Sequence, residues 1–465
     1  MASGDSAGME GSAEVDGPRS YSQDGRGAPG SPRPTASVGL RAVVWALLLL
    51  TLLAAGPARP LPAEAQGQTI RIGGLWDLSG PWARVGKACF RGARRAVETA
   101  DRHGGVLHAV VELVAADTQG REAYLVARAA RLVEKEGVVG LLGPTRADLA
   151  PRLRDEAQLH KVPLVLTAGL RPMLRRERWE VNWAFGSYLD LRTWSRAVLP
   201  VLRRRGVKRI GLLIPREEPW SSAGLWLRGY LVERLFRLHV ERYSVGDADV
   251  IFQLRQMERR GAGAVVVLGP RRAGGMLAAS FRGLPMILVA GPGLLSDRLL
   301  ATASVGGVEV LAALPPLILG ESIPPTHPCA GAVMAFDRAM GGELRSMGLE
   351  ERLAAGRAWD GVFMLLQAMA RAGAPSPEII RRALEHRSHP YYGVSGIFLP
   401  DGNCHTRQLS RWLLVRSWRN GAWRSPVAHG GAGRGEDHHL PDTSPPEGPG
   451  RLGQGGAGGG HVVHQ

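Results

Sequence analysis

The chain has 465 residues, enough for two or three domains with cores of their own. It is 45% hydrophobic and 22% charged, which is typical of a globular protein. The net charge of +16 comes mainly from arginine, because only four of the 58 basic residues are lysine. The arginines are spread along the chain and are not clustered with stacking aromatic residues, so we expect no nucleic-acid partner.

The N-terminal 65 residues have the composition of a targeting region. Residues 1–40 are rich in Gly, Ser, Pro and charge, which predicts a disordered extension. Residues 41–65 contain Arg41, an apolar run from Ala42 to Ala55 and the small-residue site Ala63-Glu64-Ala65, in the order of a secretory signal peptide. Because the run is shorter than a transmembrane helix, we expect export with cleavage. An uncleaved anchor or a start site further downstream is the alternative.

The stretch from Thr69 to Gly105 predicts a strand, a loop and a helix. Ile70, Ile72 and Leu75 alternate as in a strand, and a polar loop follows up to Trp82. Alanines then recur at helical spacing. The loop therefore lies at the carboxyl end of a strand, which is where open α/β sheets bind ligands.

Strands and helices continue to alternate, which predicts a parallel sheet covered by helices on both faces. In the first series we expect strands at 110–116, 138–142 and 162–167 and helices at 123–136 and 147–160. Residues 181–189 interrupt the series and suggest a crossing between two lobes. In the second series we expect helices at 191–204, 223–238, 250–260 and 273–282, and strands at 209–214, 264–268 and 286–289.

The remaining elements predict a return toward the first lobe and then a final β segment. A strand at 308–314 is expected to lead back, followed by helices at 327–340, 352–372 and 378–385. Two alternating runs, 394–399 and 409–418, are separated by a turn signal at 400–403. Beyond Ser425 the chain is Gly/Pro-rich and carries five histidines, and we expect a disordered tail there rather than a metal site.

Motifs that would indicate an enzyme are missing from the part of the sequence that is expected to fold. It contains no H-E-x-x-H, P-loop, G-x-S-x-G or G-x-G-x-x-G motif in the folded part. Asp117 ends a predicted strand, and a loop or helix-capping role is favoured there over catalysis. Cys89, Cys329 and Cys404 lie far apart without metal-ligand spacing, and one disulfide among them stays open. We therefore expect neither catalysis nor a cofactor nor a metal.

Taken together, several short motifs resemble the type I periplasmic solute-binding proteins of the Leu/Ile/Val-binding class, which serve ABC importers. The resemblance covers about residues 69–424 and depends on the order and spacing of the motifs. They are Leu78-Ser79-Gly80-Pro81, Gly104-Gly105, Gly143-Pro144, Val162-Pro163-Leu164-Val165, Trp359-Asp360-Gly361, Gly393-Val394-Ser395-Gly396 and Arg419-Asn420-Gly421-Ala422-Trp423.

The resemblance implies two doubly wound parallel-sheet lobes joined by three crossings, with a solute in the cleft between them. We expect the first lobe at 66–186 and 310–387 and the second lobe at 187–309 and 388–426, followed by the tail at 427–465. The implied function is capture of a small molecule, amino-acid-like or another small carboxylate, by a periplasmic or extracytoplasmic monomer that delivers it to the permease of an ABC importer. A membrane-anchored ligand-sensing domain of the same fold is the alternative.

The residues expected to form the pocket depart from the family pattern. The family uses small hydroxyl residues where this chain has Arg146 and Ala147, and Ala290-Gly291-Pro292-Gly293 lacks the acid that binds a ligand ammonium group. We therefore expect a solute other than a standard α-amino acid. Arg146 and Arg271 are candidates to pair with a carboxylate, and Trp82 and Trp220 to cover an apolar body. The predicted ligand-binding residues are Ser79, Trp82, Thr145, Arg146, Ala168, Gly169, Trp220 and Arg271.

Overall fold

A computed structural model of the chain describes residues 69–170, 181–234, 236–386 and 388–426. The predicted extension at 1–40, the signal peptide at 41–65 and the tail at 427–465 lie outside the described residues. No helix in the described ranges is both long and apolar enough to cross a membrane.

The first lobe is built on a five-stranded sheet in which all strands are parallel and the order is 2-1-3-4-5. Its strands are rich in Ile, Leu and Val and are covered on both faces, as expected for a parallel sheet. They are β1 (Thr69–Trp76), β2 (Val110–Asp117), β3 (Leu141–Gly143), β4 (Leu164–Leu166) and β5 (Ala184–Gly186).

The second lobe is built on a seven-stranded sheet. Five of its strands are parallel and repeat the 2-1-3-4-5 order of the first lobe, and the last two strands of the chain join antiparallel at one edge. The strands are β6 (Arg209–Pro215), β7 (Arg237–Tyr243), β8 (Ala264–Val267), β9 (Ile287–Ala290), β10 (Val310–Leu314), β13 (Leu414–Arg419) and β14 (Ala422–Arg424). Two short strands that come before β13 in the chain form a separate hairpin, and they are β11 (Tyr391–Tyr392) and β12 (Ile397–Phe398).

Twelve α-helices lie in the described residues. They are α1 (Ala83–Arg102), α2 (Glu122–Glu134), α3 (Ala150–Leu159), α4 (Leu191–Arg204), α5 (Trp220–Val232), α6 (Ile251–Arg259), α7 (Gly274–Ser280), α8 (Asp297–Gly306), α9 (Ala330–Met340), α10 (Glu343–Ser346), α11 (Leu349–Ala372) and α12 (Pro377–Glu385). Short 3₁₀ turns lie at 147–149, 271–273, 316–318, 320–322 and 410–412.

Helices α1 and α11 form the most extensive helix pair, on one face of the first sheet. Small residues on α1 let the two backbones approach closely. At Gly92 a Cβ atom would stand 2.1 Å from the carbonyl oxygen of Ala355. Helices α2 and α3 cover the opposite face of the sheet. The second sheet is covered by α4 and α5 on one face and by α6, α7 and α8 on the other.

Three segments cross between the lobes. They are residues 187–190, the residues that directly follow Leu314 at the end of β10, and residues 399–413. The expected boundaries at 310 and 388 differ from this arrangement. Strand β10 does not belong to the first lobe, because it pairs with β9 and β13 in the second sheet. Residues 391–398 pack in the core of the first lobe, and the return to the second lobe comes only after them.

Several element predictions differ from the structure. Residues 184–186, inside the stretch expected as a crossing, form strand β5 of the first sheet. The helix expected over 223–238 ends at Val232, and residues 237–243 form the edge strand β7, whose alternating residues the helical interpretation missed. Helix α8 was not predicted at all. The expected turn does form, since the Asp401 carboxylate accepts hydrogen bonds from the amides of Asn403 and Cys404. The alternating run expected over 409–418, however, pairs mainly with β10 rather than with the run expected over 394–399.

Candidate functional site

A cavity of about 360 Å³ lies between the lobes and is lined by residues of both. Its walls come from the loops that follow β1, β3 and β4 in the first sheet and β6, β8 and β9 in the second. Each loop stands at the carboxyl end of a parallel strand, and in each lobe the strand order reverses between the first and third strands of its sheet. Such topological switch points are the usual binding positions of open α/β sheets. We call this cavity the interlobe cleft.

Seven of the eight residues predicted from the sequence line the interlobe cleft. They are Trp82, Thr145, Arg146, Ala168, Gly169, Trp220 and Arg271. The eighth, Ser79, does not line it. Its hydroxyl donates a hydrogen bond of 2.6 Å to Asp117, which also accepts hydrogen bonds from the Leu78, Ser79 and Gln119 amides. Although burial opposes the shift, these hydrogen bonds lower the pKa of the Asp117 carboxyl. The favoured loop role of Asp117 matches these contacts.

Arg146 is already paired within its own loop. Its Nε and Nη2 atoms both donate to the Asp148 carboxylate, and Nη1 donates to the carbonyl of Gly120 at 3.2 Å. The hydrogen bond to Asp148 is the main cause of a raised pKa at Arg146. The guanidinium also lies 5.7 Å from the centre of the Trp82 ring, within cation–π range. Arg146 and Trp82 therefore form one neutralised, stacked part of the wall.

Arg271 is also paired, and its partner lies in the other lobe. Its Nη1 atom stands 3.4 Å from the Glu350 carboxylate at the beginning of α11. Asp297 makes a second link between the lobes by accepting a hydrogen bond of 2.8 Å from the amide of Leu349. The acid that stands four residues after Gly293 is therefore used at the lobe junction.

Arg357 on α11 also lines the cleft, although it is not among the ligand-binding residues predicted from the sequence. Its Nε donates to the Leu353 carbonyl at 3.1 Å, and its Nη1 donates to the Thr167 carbonyl at 3.3 Å. No carboxylate of a described residue lies within ion-pair distance of it. Burial, together with repulsion from Arg271, lowers the pKa of Arg357 to about 10. The group thus stays charged at neutral pH without a counter-ion.

Indole rings supply much of the apolar wall. Trp194 is almost fully buried, and its Nε1 donates to the Ala290 carbonyl at 3.1 Å. Trp220 opens α5 and is half-buried, and its Nε1 has no acceptor among the described residues. With Trp82 from the first lobe, the cleft has indole groups on both sides.

The second lobe does contribute acids to the cleft, although the loop at 290–293 has none. Glu217 and Glu218 follow β6 and both line the cavity. Glu217 accepts a hydrogen bond from the Val245 amide through Oε1, and its buried Oε2 has no donor in the described parts of the chain. Glu218 is exposed and accepts hydrogen bonds from the backbone and hydroxyl of Ser222.

The loop carrying Ser395 is held against the cleft by a buried carboxylate. Asp360 accepts hydrogen bonds from the amides of Val394 and Ser395 and from the Tyr391 hydroxyl, at 2.7 to 3.0 Å. Burial raises the pKa of the Asp360 carboxyl to about 7, against the effect of these hydrogen bonds. The motif Trp359-Asp360-Gly361 therefore supports the wall and does not itself line it.

Residues with metal-binding chemistry do not gather anywhere in the described ranges. Cys89, Cys329 and Cys404 are each buried as free thiols, so the disulfide left open by the sequence is not formed.

A family model described as "Periplasmic binding protein" matches residues 69–421, which is most of the chain. The chain belongs to the periplasmic binding protein family. This confirms the recognition made from the sequence motifs, and the two-lobed α/β fold with parallel sheets is confirmed as well.

Among its relatives, the Leu/Ile/Val-binding protein homolog 7 of Brucella abortus is 32% identical over 116 residues. That match spans 25% of this chain and only 28% of the relative. Among solved structures, the substrate-binding protein LivJ of Streptococcus pneumoniae, in complex with isoleucine, has 18% identity and a TM-score of 0.60 over 77% of this chain and 98% of its own.

A solute-binding protein of an ABC transporter from Rhodopseudomonas palustris, in complex with 4-hydroxybenzoate, gives a similar match. It has 16% identity and a TM-score of 0.60, and covers 77% of this chain and 95% of its own. At these identities the structural matches establish the fold alone.

Proposed function

We propose that this protein is an exported solute-binding protein that holds a small molecule in the interlobe cleft and delivers it to the permease of an ABC importer. The single observation that carries the proposal is a cavity of about 360 Å³ enclosed by strand-end loops of both lobes. Three crossings allow the lobes to close around a solute by hinge motion. The family supports an extracytoplasmic location, and we propose export by the segment at 41–65 and function as a monomer.

The solute we propose is amino-acid-like or another small carboxylate. Thr145, Ala168, Gly169, Trp82 and Trp220 all line the cavity. We propose that the first three bind a polar head and that the two indole groups cover an apolar body. The ligands named for the two structural relatives, isoleucine and 4-hydroxybenzoate, share a carboxylate and an apolar body but differ in the ammonium group. The cleft volume lies near the lower end of the range for small-molecule pockets, which fits solutes of this size.

A binding role is favoured over catalysis by the chemistry of the wall. The acidic and basic groups of the cleft are mostly tied to backbone or to each other. The family is one of solute-binding receptors, which supports the same conclusion.

A thermal-shift screen of the purified protein against amino acids and small carboxylates tests the proposal. A bound solute at 100 times its Kd stabilises the folded state by about 2.7 kcal/mol. We expect at least one solute to raise the Tm in a concentration-dependent manner. A screen in which no amino acid or carboxylate does so would contradict the proposed solute class.

The alternative, a membrane-anchored sensing domain of the same fold, is favoured only by the apolar run at 42–55 behind a long polar extension. The mature N-terminus separates the two proposals. Cleavage after Ala65, measured by mass spectrometry of the exported protein, supports the importer role, and retention of 42–55 in the membrane fraction supports the sensor.

A further inference from the structure

We propose that Arg357 is the anion anchor of the interlobe cleft and that the solute is an organic carboxylate whose charged group lies against the first lobe at this residue. The inference rests on the proposed solute-binding function and specifies which residue recognises the solute. It replaces the expectation that Arg146 and Arg271 hold the carboxylate.

The pairing of the cleft arginines carries the inference. Arg146 is held by both oxygens of Asp148, and Arg271 is paired with Glu350. Arg272 is exposed to solvent. Arg357 alone among the described cleft arginines is partly enclosed and has no carboxylate within ion-pair distance. A guanidinium already shared with a carboxylate has little left to offer a solute, whereas Arg357 has an unused donor.

Hydrogen bonds to the backbone hold the guanidinium of Arg357 in a fixed orientation. Two of its nitrogens are fixed by the backbone carbonyls of Leu353 and Thr167. Its third nitrogen, Nη2, donates to no acceptor in the described parts of the chain. A side chain fixed in this way loses little conformational entropy when it binds an anion.

The backbone beside Arg357 is free to complete the site. The Thr167 carbonyl that it contacts directly precedes Ala168 and Gly169, whose amides donate to no described residue. Gly169 cannot carry a side chain, because a Cβ atom would lie 2.3 Å from the Tyr188 ring. The Tyr188 ring therefore packs against one side of the Gly169 backbone. The two N–H groups and the guanidinium of Arg357 are then the donors that bind the carboxylate, a favourable arrangement for an anion.

Electrostatics favour an anion at this position. A buried charge without a counter-ion costs folding free energy. The lowered pKa of Arg357 reflects its burial and the nearby charge of Arg271. A carboxylate that enters the cleft would pair with the guanidinium and remove this penalty. Relief of the penalty would then contribute to the free energy of solute binding. The indole groups at Trp82 and Trp220 leave the remainder of the cleft for an apolar body.

Two pairs of probes that differ only in charge test the inference by calorimetry. The first pair is 4-methylpentanoate and 4-methylpentanamide, and the second is 3-phenylpropanoate and 3-phenylpropanamide. We expect the wild-type protein to bind at least one carboxylate, and to bind it at least about 30-fold more tightly than its amide. Leucine and phenylalanine, which carry the same bodies, measure whether an ammonium group is accepted as well.

Substitutions test whether Arg357 causes the preference for the carboxylate over the amide. Arg357→Gln should lose about 30-fold or more in affinity for the carboxylate and none for the amide. Arg357→Lys should lose less, because the charge is kept. Arg146→Gln should lose no more than about fivefold, since its charge is already neutralised. Arg352→Gln is the matched control, because Arg352 lies on the same helix, is exposed and does not line the cleft.

Thermal unfolding without any probe separates a binding role from a structural one. Removing an uncompensated buried charge should leave the Tm of Arg357→Gln equal to or above that of the wild type. A Tm lowered by several degrees in both the Gln and Lys variants would show that the residue is structural and would overturn the inference.

The failures of the two proposals are distinguishable. If an amide binds as tightly as its carboxylate, or Arg146→Gln loses as much as Arg357→Gln, solute binding stands and the anchor role is overturned. If the wild-type protein binds neither member of either pair and neither amino acid, the anchor and the proposed solute class are overturned together.

Discussion

The guanidinium of Arg271 lies 3.4 Å from the carboxylate of Glu350, and this ion pair joins the second lobe to the beginning of α11 in the first. The Asp297 carboxylate reinforces the junction by accepting a hydrogen bond from the Leu349 amide, one residue earlier. Both contacts lie at the amino end of the helix that carries Arg357. The junction therefore couples the relative position of the lobes to the helix that contributes the proposed anchor.

Glu350→Gln should loosen this junction without unfolding either lobe. A partly exposed ion pair contributes about 0.2–1 kcal/mol, so we expect solute affinity to fall about two- to fivefold as the lobes spend more time apart. Small-angle X-ray scattering should give a larger radius of gyration for the variant without solute.

The control for this measurement is Glu343→Gln, which breaks an ion pair with Arg95 inside the first lobe. It should leave the radius of gyration unchanged. An unchanged radius in Glu350→Gln as well would show that the pair does not hold the lobes together.

Asp190 joins the first crossing to the third. Its carboxylate accepts a hydrogen bond of 2.9 Å from the Thr406 hydroxyl and caps α4 by accepting one of 2.8 Å from the Thr193 amide. Burial raises the pKa of this carboxyl. Because the substitution removes the cap of the Thr193 amide and the hydrogen bond that ties the two crossings together, Asp190→Ala should lower the free energy of unfolding by about 2–4 kcal/mol, as measured by urea denaturation.

Ser296→Ala provides a comparison for Asp190→Ala. Ser296 caps α8 by accepting a hydrogen bond from the Leu299 amide, and it lies outside the three crossing segments. Loss of this cap should cost about 1 kcal/mol. An equal loss in the two variants would mean that Asp190 acts only as a helix cap.

Gly92 permits a close approach between α1 and α11. A Cβ atom at this position would lie 2.1 Å from the Ala355 carbonyl oxygen, which is backbone and cannot move aside without shifting α11. We expect Gly92→Ala to destabilise the protein by about 2 kcal/mol or more, by overpacking. The same change at Gly229, a helix position with open space around it, should instead stabilise by roughly 0.5–1 kcal/mol. Chemical denaturation of both variants measures the difference, and two changes of the same sign would contradict the packing argument.

The sequence predicts the frame of the cleft better than its chemistry. Strand-end loops are local features, so the alternation around Ile72 and the loop ending at Trp82 can be predicted from the sequence alone. The helix expected over 223–238 extends into the first two residues of the edge strand at 237–243, and the prediction contains no strand for the rest of it.

The role of Arg357 could not be read from the chain, because it depends on contacts across 190 residues. The Thr167 carbonyl that orients this arginine lies that far away in the sequence. Arg146 shows the opposite difficulty. Asp148 is visible only two residues away, but the sequence does not say whether the two side chains pair or point apart.

The carboxylate of Glu385 makes part of the stability of the first lobe depend on pH. Its Oε1 atom lies 3.6 Å from Nε2 of His405, and its Oε2 atom accepts a hydrogen bond from Arg381. The interaction with His405, together with Arg381, lowers the pKa of Glu385 from 4.5 to about 2. The His405 ring also stacks on Phe185, with 4.2 Å between the ring centres, so the cluster links the end of α12 to the third crossing.

The sign of the effect follows from linkage. A carboxyl whose pKa is lower in the folded state favours folding above its unfolded value, and this contribution is lost as the pH falls from about 4.5 to about 2. In Glu385→Gln this part of the acid sensitivity should be missing, so that its unfolding free energy falls less steeply across the window. Glu258→Gln, which affects an exposed pair with Arg255 on one helix, should keep the wild-type slope. Urea denaturation at pH steps from 5 down to the acid limit of folding measures the slopes, and parallel curves for Glu385→Gln and wild type would rule out the contribution of Glu385.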